Sequence, residues 1–144
     1  MCFVDLRKAF DSVPRAKLFY KLFKDYSIGG NFLKVLRETY KGNNVFVKLS
    51  QGLCDSFETT QGVLQGCVNS PILFNLFIND ISGIFDYSYD PVSINNTKQS
   101  ALLWADDLVL LSETAGGLQE SINRMNNYFE SLNLNIKAKK KQRF

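Results

Sequence analysis

The chain contains no histidine. A His-based catalytic triad, a His general base and His metal ligands are thereby excluded. Cysteine is scarce too. Cys2, Cys54 and Cys67 are odd in number and show no C-x-x-C spacing. They read as reduced thiols of an intracellular protein, with neither a disulfide framework nor a zinc site. No basic segment followed by an apolar core opens the chain, so no signal peptide is expected. No apolar run is long enough to cross a membrane. Internal repeats, low-complexity tracts and linker-like stretches are also absent from the sequence. A single domain with a real core is expected, because 45% of the 144 residues are hydrophobic. The net charge of +3 has a local origin: Lys137, Lys139, Lys140, Lys141 and Arg143 crowd the last eight residues. This basic tail, 137–144, reads either as a solvated terminus or as a phosphate-binding or nuclear import segment.

What the chain does have is a pair of adjacent acids between apolar runs. Ala101 to Ala105 and Leu108 to Leu111 flank Asp106-Asp107. The pattern predicts a buried hairpin with two carboxylates at its tip. Asp is an ordinary turn residue, so the pair alone is also explained as a turn. Yet a two-residue hairpin favours Asn-Gly or Asp-Gly, because φ is positive at one or both positions. Asp-Asp without glycine implies strain. Two neighbouring carboxylates also repel each other unless a cation lies between them, and Mg²⁺ is a hard ion that takes oxygen ligands. A third acid, Asp5, ends the short apolar run from Met1. Acids at the ends of two strands are the raw material of a two-metal phosphoryl-transfer site.

Periodicity supplies the remaining elements. Ser12 as N-cap and Pro14 as an early position predict a helix through Leu18, Phe19, Leu22, Phe23 and Tyr26. Gly29-Gly30 breaks it, and Phe32, Leu33, Leu36 and Tyr40 mark the next helix. Val45 to Leu49 reads as extended, Gln51-Gly52 as a turn and Phe57 to Thr60 as a short strand. Ser70-Pro71 starts a helix running to about Phe85, apolar on nearly every face and therefore buried. Tyr87 to Gln99 reads as a loop. Leu118, Ile122, Met125, Phe129 and Leu132 mark an amphipathic helix, and Leu134 to Ile136 a closing strand. The mixture predicts an α+β fold: a largely antiparallel sheet with helices packed on one face and the other face free for a ligand.

Several segments resemble motifs of the reverse transcriptases of non-LTR (LINE-type) retrotransposons. Phe3-Val4-Asp5-Leu6-Arg7-Lys8-Ala9-Phe10-Asp11 resembles motif A. Gln61-Gly62-Val63-Leu64-Gln65-Gly66-Cys67 with Ser70-Pro71 and Leu73 to Asp80 resembles motif B. Ala105-Asp106-Asp107-Leu108 resembles motif C, and Leu132-Asn133-Leu134-Asn135 followed by lysines resembles motif D. The match covers residues 3 to 140. It implies the palm of a right-hand polymerase that transfers deoxynucleotides to a DNA primer 3′-OH on an RNA template. Asp5 and Asp106 would hold two Mg²⁺ ions, for which Mn²⁺ can substitute, and Asp107 would support them less directly. Ala9, Phe10, Gln65 and Gly66 would line the nucleotide site. Phe10 would pack under the incoming sugar and clash with a 2′-OH; read without the motif, it is a core residue. Gln65-Gly66 without the motif is a polar loop. Arg7 and Lys8 are open to two readings, phosphate contacts or a solvated pair.

The match has departures. Leu64 stands where the family usually has arginine, Val68 where it has proline, and Trp104 where tyrosine or phenylalanine precedes Ala-Asp-Asp. The motif D lysine, expected near the pyrophosphate, has no residue in register; Lys137 and Lys139 are the substitutes. Fingers before motif A, a thumb after motif D and an endonuclease domain are missing from residues 1–144. The expectation is a partial domain, a palm from a larger polyprotein, weak or inactive alone, with fingers and thumb supplied by a longer product. Two rival readings accompany it. One is a non-catalytic retrotransposon remnant that serves as an interaction module or does not fold stably. The other is a different Mg²⁺-dependent phosphoryl-transfer enzyme, such as a nuclease.

Overall fold

The computed structural model describes residues 1–85 and 90–138. Its centre is a four-stranded antiparallel sheet in the order β10-β1-β9-β8. These strands are β1 (Cys2–Leu6), β8 (Ala101–Trp104), β9 (Asp107–Leu110) and β10 (Ile136–Ala138). Alternation fixes what each face carries. Val4, Leu6, Leu108 and Leu110 are buried, whereas Phe3, Asp5 and Asp107 lie on the other face and are at least partly exposed.

Helices cover the apolar face. They are α1 (Arg15–Tyr26), α2 (Gly30–Thr39), α3 (Ser70–Ile78), continued by a 3₁₀ segment (Asn79–Ile84), and α4 (Ala115–Ser131). Phe74, Phe77, Phe129, Leu18 and Leu22 pack with the sheet's leucines into one core. The expected α+β arrangement, helices on one face and an open opposite face, is thus observed. A polar clamp crosses the helix layer. Lys21, 9% exposed, donates to Phe77 O at 2.7 Å and to Asp80 Oδ1 at 2.5 Å. The Tyr128 hydroxyl also donates to Asp80 Oδ1. One carboxylate so joins α1, the 3₁₀ segment and α4.

Several expectations need correction. The hairpin is not buried: β8 is an edge strand, with Leu102 52% and Trp104 84% exposed. Its turn is Ala105-Asp106, since Trp104 pairs with Asp107. The anticipated strain therefore falls on Ala105, at φ +51°. Neither predicted serine cap forms. Pro14 is the N-cap of α1 and Asn69 that of α3, both without a side-chain bond. Ser12 Oγ instead donates to Lys8 O at 2.8 Å, and Ser70 Oγ to Leu64 O at 2.5 Å. The motif B helix turns 3₁₀ at Asn79, and its burial is one-sided, because Ile72 is exposed. The supposed loop before the hairpin contains β6 (Val92–Ile94) and β7 (Thr97–Gln99). Asn95 and Asn96, both at positive φ, make its turn, which is standard hairpin chemistry.

Between α2 and α3, a slender β-arm holds β2 (Asn44–Val45) paired with β5 (Phe57–Glu58), and β3 (Lys48–Leu49) paired with β4 (Gly52–Leu53). Its turn is Ser50-Gln51, with Gly52 already in β4. The last strand spans Ile136–Ala138 rather than Leu134 to Ile136. Asn133, at φ +60°, ends α4 in a left-handed turn, and Leu134 N bonds back to Phe129 O. The first two residues of the basic tail therefore belong to a strand; Lys139 and the rest of the tail lie outside the described residues. No helix among the described residues is long and apolar enough to cross a membrane.

Candidate active site

The ladder between β1 and β9 brings Asp5 directly opposite Asp107. Residues so paired point to the same face, and like charges there destabilise a sheet. On the other side of β1, the backbone of Lys137 pairs with Asp5. Trp104 pairs with Asp107 across the β8–β9 hairpin. Lys137, Asp5, Asp107 and Trp104 thus form one cross-strand row. Asp106 stands beside this row in the turn, half-buried, while Asp107 is exposed. The expected assignment made Asp5 and Asp106 the metal-holding acids with Asp107 in support; the register puts Asp107 opposite Asp5 and Asp106 in the adjoining turn.

Among the described residues, no three His, Cys, Asp or Glu side chains gather into a group that could hold a metal ion. The donor chemistry nonetheless suits magnesium. Two carboxylates face each other across a ladder, and a third is one residue away. All offer hard oxygen ligands.

The second part of the site is built from the segment after β1 and the segment before α3. Phe10 is half-buried and stacks on Phe74, with ring centroids 4.8 Å apart. The core reading and the pocket reading of Phe10 are therefore compatible: one ring face packs on the core. Phe10 also borders a cleft of about 360 Å³ with Gln65, Gly66, Cys67, Ser70 and Pro71. Three of the four expected nucleotide-site residues meet there. Ala9 is buried in the core beneath them, 4% exposed.

The two segments are docked by backbone bonds. Gly62 N donates to Val13 O and Val63 N to Phe10 O, each at 2.8 Å. Gly62 sits at φ +85°, and a Cβ there would lie 2.7 Å from Asp11 O. Only glycine permits that approach at that backbone angle. Arg15 completes the dock. Its Nε donates to Gly62 O at 2.9 Å, its Nη1 to Thr59 O at 2.5 Å and to Tyr40 O at 3.0 Å, and its Nη2 to Thr59 Oγ1 at 3.1 Å. Burial draws the guanidinium below its ordinary pKa, opposed by the nearby Tyr40 and Glu58. It remains a cation at any ordinary pH. Gln65 Nε2 donates to Asp11 Oδ1 at 2.7 Å.

Arg15 and Asp11 were missed by sequence reasoning. Arg15 carries no local signal, because its partners are as many as 47 residues away. Asp11 falls within the segment that resembles motif A, which implies no role for it. The positions that depart from the motif pattern are explained in part. Leu64 is half-buried against the core, while Val68 and Trp104 are strongly exposed. Arg7 and Lys8 are both exposed.

The whole chain, residues 1–144, matches the family "Reverse transcriptase (RNA-dependent DNA polymerase)". It is 31% identical, over 95% of its length, to the retrovirus-related Pol polyprotein from type-2 retrotransposable element R2DM of Drosophila melanogaster. It is 29% identical, over 85% of its length, to the corresponding polyprotein from type-1 retrotransposable element R2 of Nasonia vitripennis. The chain spans only 13% and 12% of those two proteins. Its fold is similar to apo telomerase from Candida tropicalis truncated from its C-terminal domain. That match has a TM-score of 0.68 and 15% identity, and it covers 94% of this chain and 28% of that one. Telomerase from the same organism in complex with a fragment of telomeric RNA aligns with a TM-score of 0.66 at 14% identity, over 94% of this chain and 24% of that one. With its full length matched, the chain belongs to the reverse transcriptase (RNA-dependent DNA polymerase) family, and its relatives include R2 retrotransposon polyproteins.

Proposed function

We propose that this chain is the palm of an RNA-directed DNA polymerase, acting within a longer protein. The observation that carries the reading is the in-register pair Asp5–Asp107, with Asp106 in the adjoining turn, on the sheet face that no helix among the described residues covers. Asp5, Asp106 and Asp107 would hold the Mg²⁺ ions, and Mn²⁺ would substitute. When bound, such ions activate a primer hydroxyl and neutralise phosphate charge. The chain's own residues do the positioning. Phe10, Gln65 and Gly66 form the walls against which a deoxynucleotide is placed, and the Phe10 ring, held by Phe74, stands firm against a 2′-OH. Trp104, exposed at the end of the acidic row, offers a flat face for stacking. Lys137, in register with Asp5, and Lys139 are the candidates for phosphate contact. RNA template, DNA primer and dNTPs are the implied partners, with nuclear entry through the basic tail.

The test is primer extension on an RNA template with Mg²⁺ or Mn²⁺, using residues 1–144 alone and joined to fingers and thumb segments. Alone the chain extends weakly or not at all, since template and triphosphate need further surfaces. Joined, it extends, and Asp106→Asn abolishes the activity. Undiminished extension by that variant would sink the site assignment. A second reading, a non-catalytic interaction module, draws on the apolar arm, where Phe46, Leu49, Leu53 and Phe57 are all more than half exposed. A joined chain that folds, binds a partner through the arm and never extends would favour it.

A further inference from the structure

The central sheet has two edges, and they differ. At one, β10 has Lys137 at its centre, and a lysine on an edge strand is a usual guard against pairing with another chain. At the other, β8 has no such guard. From Gln99 to Ala105 the chain reads Gln-Ser-Ala-Leu-Leu-Trp-Ala, without a charge or a proline. Leu102 is 52% exposed and Leu103 39%. The ladder to β9 decides which main-chain groups this edge offers. Leu111 N donates to Ser100 O at 2.8 Å, and the same register runs through Leu102–Val109 to Trp104–Asp107 beside the turn. In an antiparallel ladder, bonded and unbonded pairs alternate. Ser100, Leu102 and Trp104 therefore bond to β9, and Ala101 and Leu103 turn their N–H and C=O groups outward. Among the described residues nothing bonds to those outward groups.

We propose that β8 is a self-association edge, on which two copies of this chain pair β8 to β8, antiparallel, about a two-fold axis at Leu102. The spacing of the outward groups is self-complementary. Ala101 falls opposite the partner's Leu103, and Leu103 opposite the partner's Ala101. The two N–H groups of each copy thus meet the two C=O groups of the other. Leu102 faces the partner's Leu102 at the unbonded position, where Cα atoms are about 4.5 Å apart, and both side chains leave water. A shift by one residue would set Ala101 against the partner's Leu102, whose groups β9 already holds. Charge agrees with this orientation. Antiparallel pairing brings the end of the edge that carries Lys98 beside the partner's turn, which carries Asp106. Lys98 is exposed and has no ion pair among the described residues. Any extended strand meets main-chain groups; the leucine at the axis and the opposite charges at the ends favour this chain's own edge. The pairing doubles the four-stranded sheet and closes its unguarded side. It does not depend on the polymerase reading.

The experiment is sedimentation of residues 1–144 over a range of concentrations, with amide exchange followed by NMR at the two extremes. The mass is expected to rise from 16.4 kDa toward twice that value. Exchange at Ala101 and Leu103 should slow at high concentration, and exchange at Leu102, whose amide β9 already holds, should change less. Leu102→Lys and Leu102→Glu each set two like charges across the axis, and each alone should stay at the monomer mass. Mixed in equal amounts, the two variants should dimerise, a rescue that misfolded chains would not give. Lys98→Glu should weaken association about fivefold. Leu53→Lys, on the β-arm at a residue 70% exposed, should leave it unchanged. A wild type that stays monomeric overturns the proposal; slow exchange at Ala101 and Leu103 only when the chain is joined to a thumb segment gives the edge to the longer protein instead. Association lost in Leu53→Lys but kept in the Leu102 variants overturns it too, as does a mixture of the two Leu102 variants that remains monomeric.

Discussion

Replacing Gly62 with alanine tests whether the dock between the two site segments is as tight as the geometry says. Two costs add. The first is conformational: at φ +85° a residue with a Cβ is disfavoured by about 1–2 kcal/mol. The second is contact. The new Cβ would lie 2.7 Å from Asp11 O, 2.9 Å from Asp11 Cα and 3.0 Å from Asp11 C, all backbone atoms that no rotamer change can move. Relief requires the two docked segments to part by several tenths of an ångström. That movement stretches the Gly62–Val13 and Val63–Phe10 bonds, each worth about 0.5–1.5 kcal/mol. The total is about 2–4 kcal/mol, a large part of a domain's usual stability of about 5–15 kcal/mol.

Gly66→Ala is the internal control. Gly66 is also at positive φ, +79°, but a Cβ there meets nothing within 4 Å. It should cost only the conformational share, about 1–2 kcal/mol. Urea denaturation of both variants gives the comparison. Amide exchange at Val63 should accelerate in Gly62→Ala and stay unchanged in Gly66→Ala. Equal destabilisation by the two substitutions would refute the argument, because the close approach to Asp11 would then be contributing nothing.

Other substitutions probe the helix layer and the Arg15 brace. Lys21→Met removes a buried donor from Phe77 O and Asp80, and should lower stability by about 2–3 kcal/mol in urea melts; the share from Asp80 is discounted, since that side chain is more than half exposed. Stability should also depend on pH through this clamp. Burial raises the Asp80 pKa, but the hydrogen bonds from Lys21 and Tyr128 and the Lys21 charge outweigh it and hold the carboxyl below its ordinary value. Its contribution is complete above about pH 4 and is lost as pH falls through the folded value. Burial, then the bond to Asp80 and its charge, push the Tyr128 phenol well above its ordinary range. That contribution is complete below about pH 10 and is lost as pH rises toward the folded value. Tyr128→Phe should flatten the alkaline limb of a stability–pH curve measured by urea melts. Arg15→Lys replaces a four-bond fork by one ammonium and should cost about 1–3 kcal/mol, with faster amide exchange confined to residues near 59–63.

The parts of this fold that were legible in the sequence are those in which local pattern and burial agree. The helix around Leu18 and Leu22, the strand at Val4 and the amphipathic run through Met125 and Phe129 all bury the residues their periodicity selects. Legibility fails where a distant partner decides. Ser12 and Ser70 look like caps, but each hydroxyl has a carbonyl at hand, and Ser70 reaches back to Leu64. The 3₁₀ turn at Asn79 goes with the clamp at Asp80, whose cation comes from α1. Arg15 shows the limit most plainly. Nothing adjacent marks it, and its partners are Thr59 just before motif B, Gly62 within it and Tyr40 at the end of α2. The β6–β7 hairpin is a different case, since Asn95-Asn96 was a readable turn signal that the polar composition around it concealed.

The acidic site depends on the same distinction at its finest scale, one residue of register. Read as a turn, Asp106-Asp107 would put both acids at the hairpin tip, and neither would belong to the ladder. With Ala105-Asp106 as the turn, Asp107 becomes the first residue of β9 and takes the place opposite Asp5. The apolar pattern enforces this choice. Leu108 and Leu110 must both face the helices, and a shift by one residue would turn them outward. The cost of the choice falls on Ala105, held at φ +51° without glycine's freedom. The core leucines therefore determine which carboxylate faces Asp5, and the strained turn next to them is what leaves Asp106 outside the ladder, one residue from Asp107.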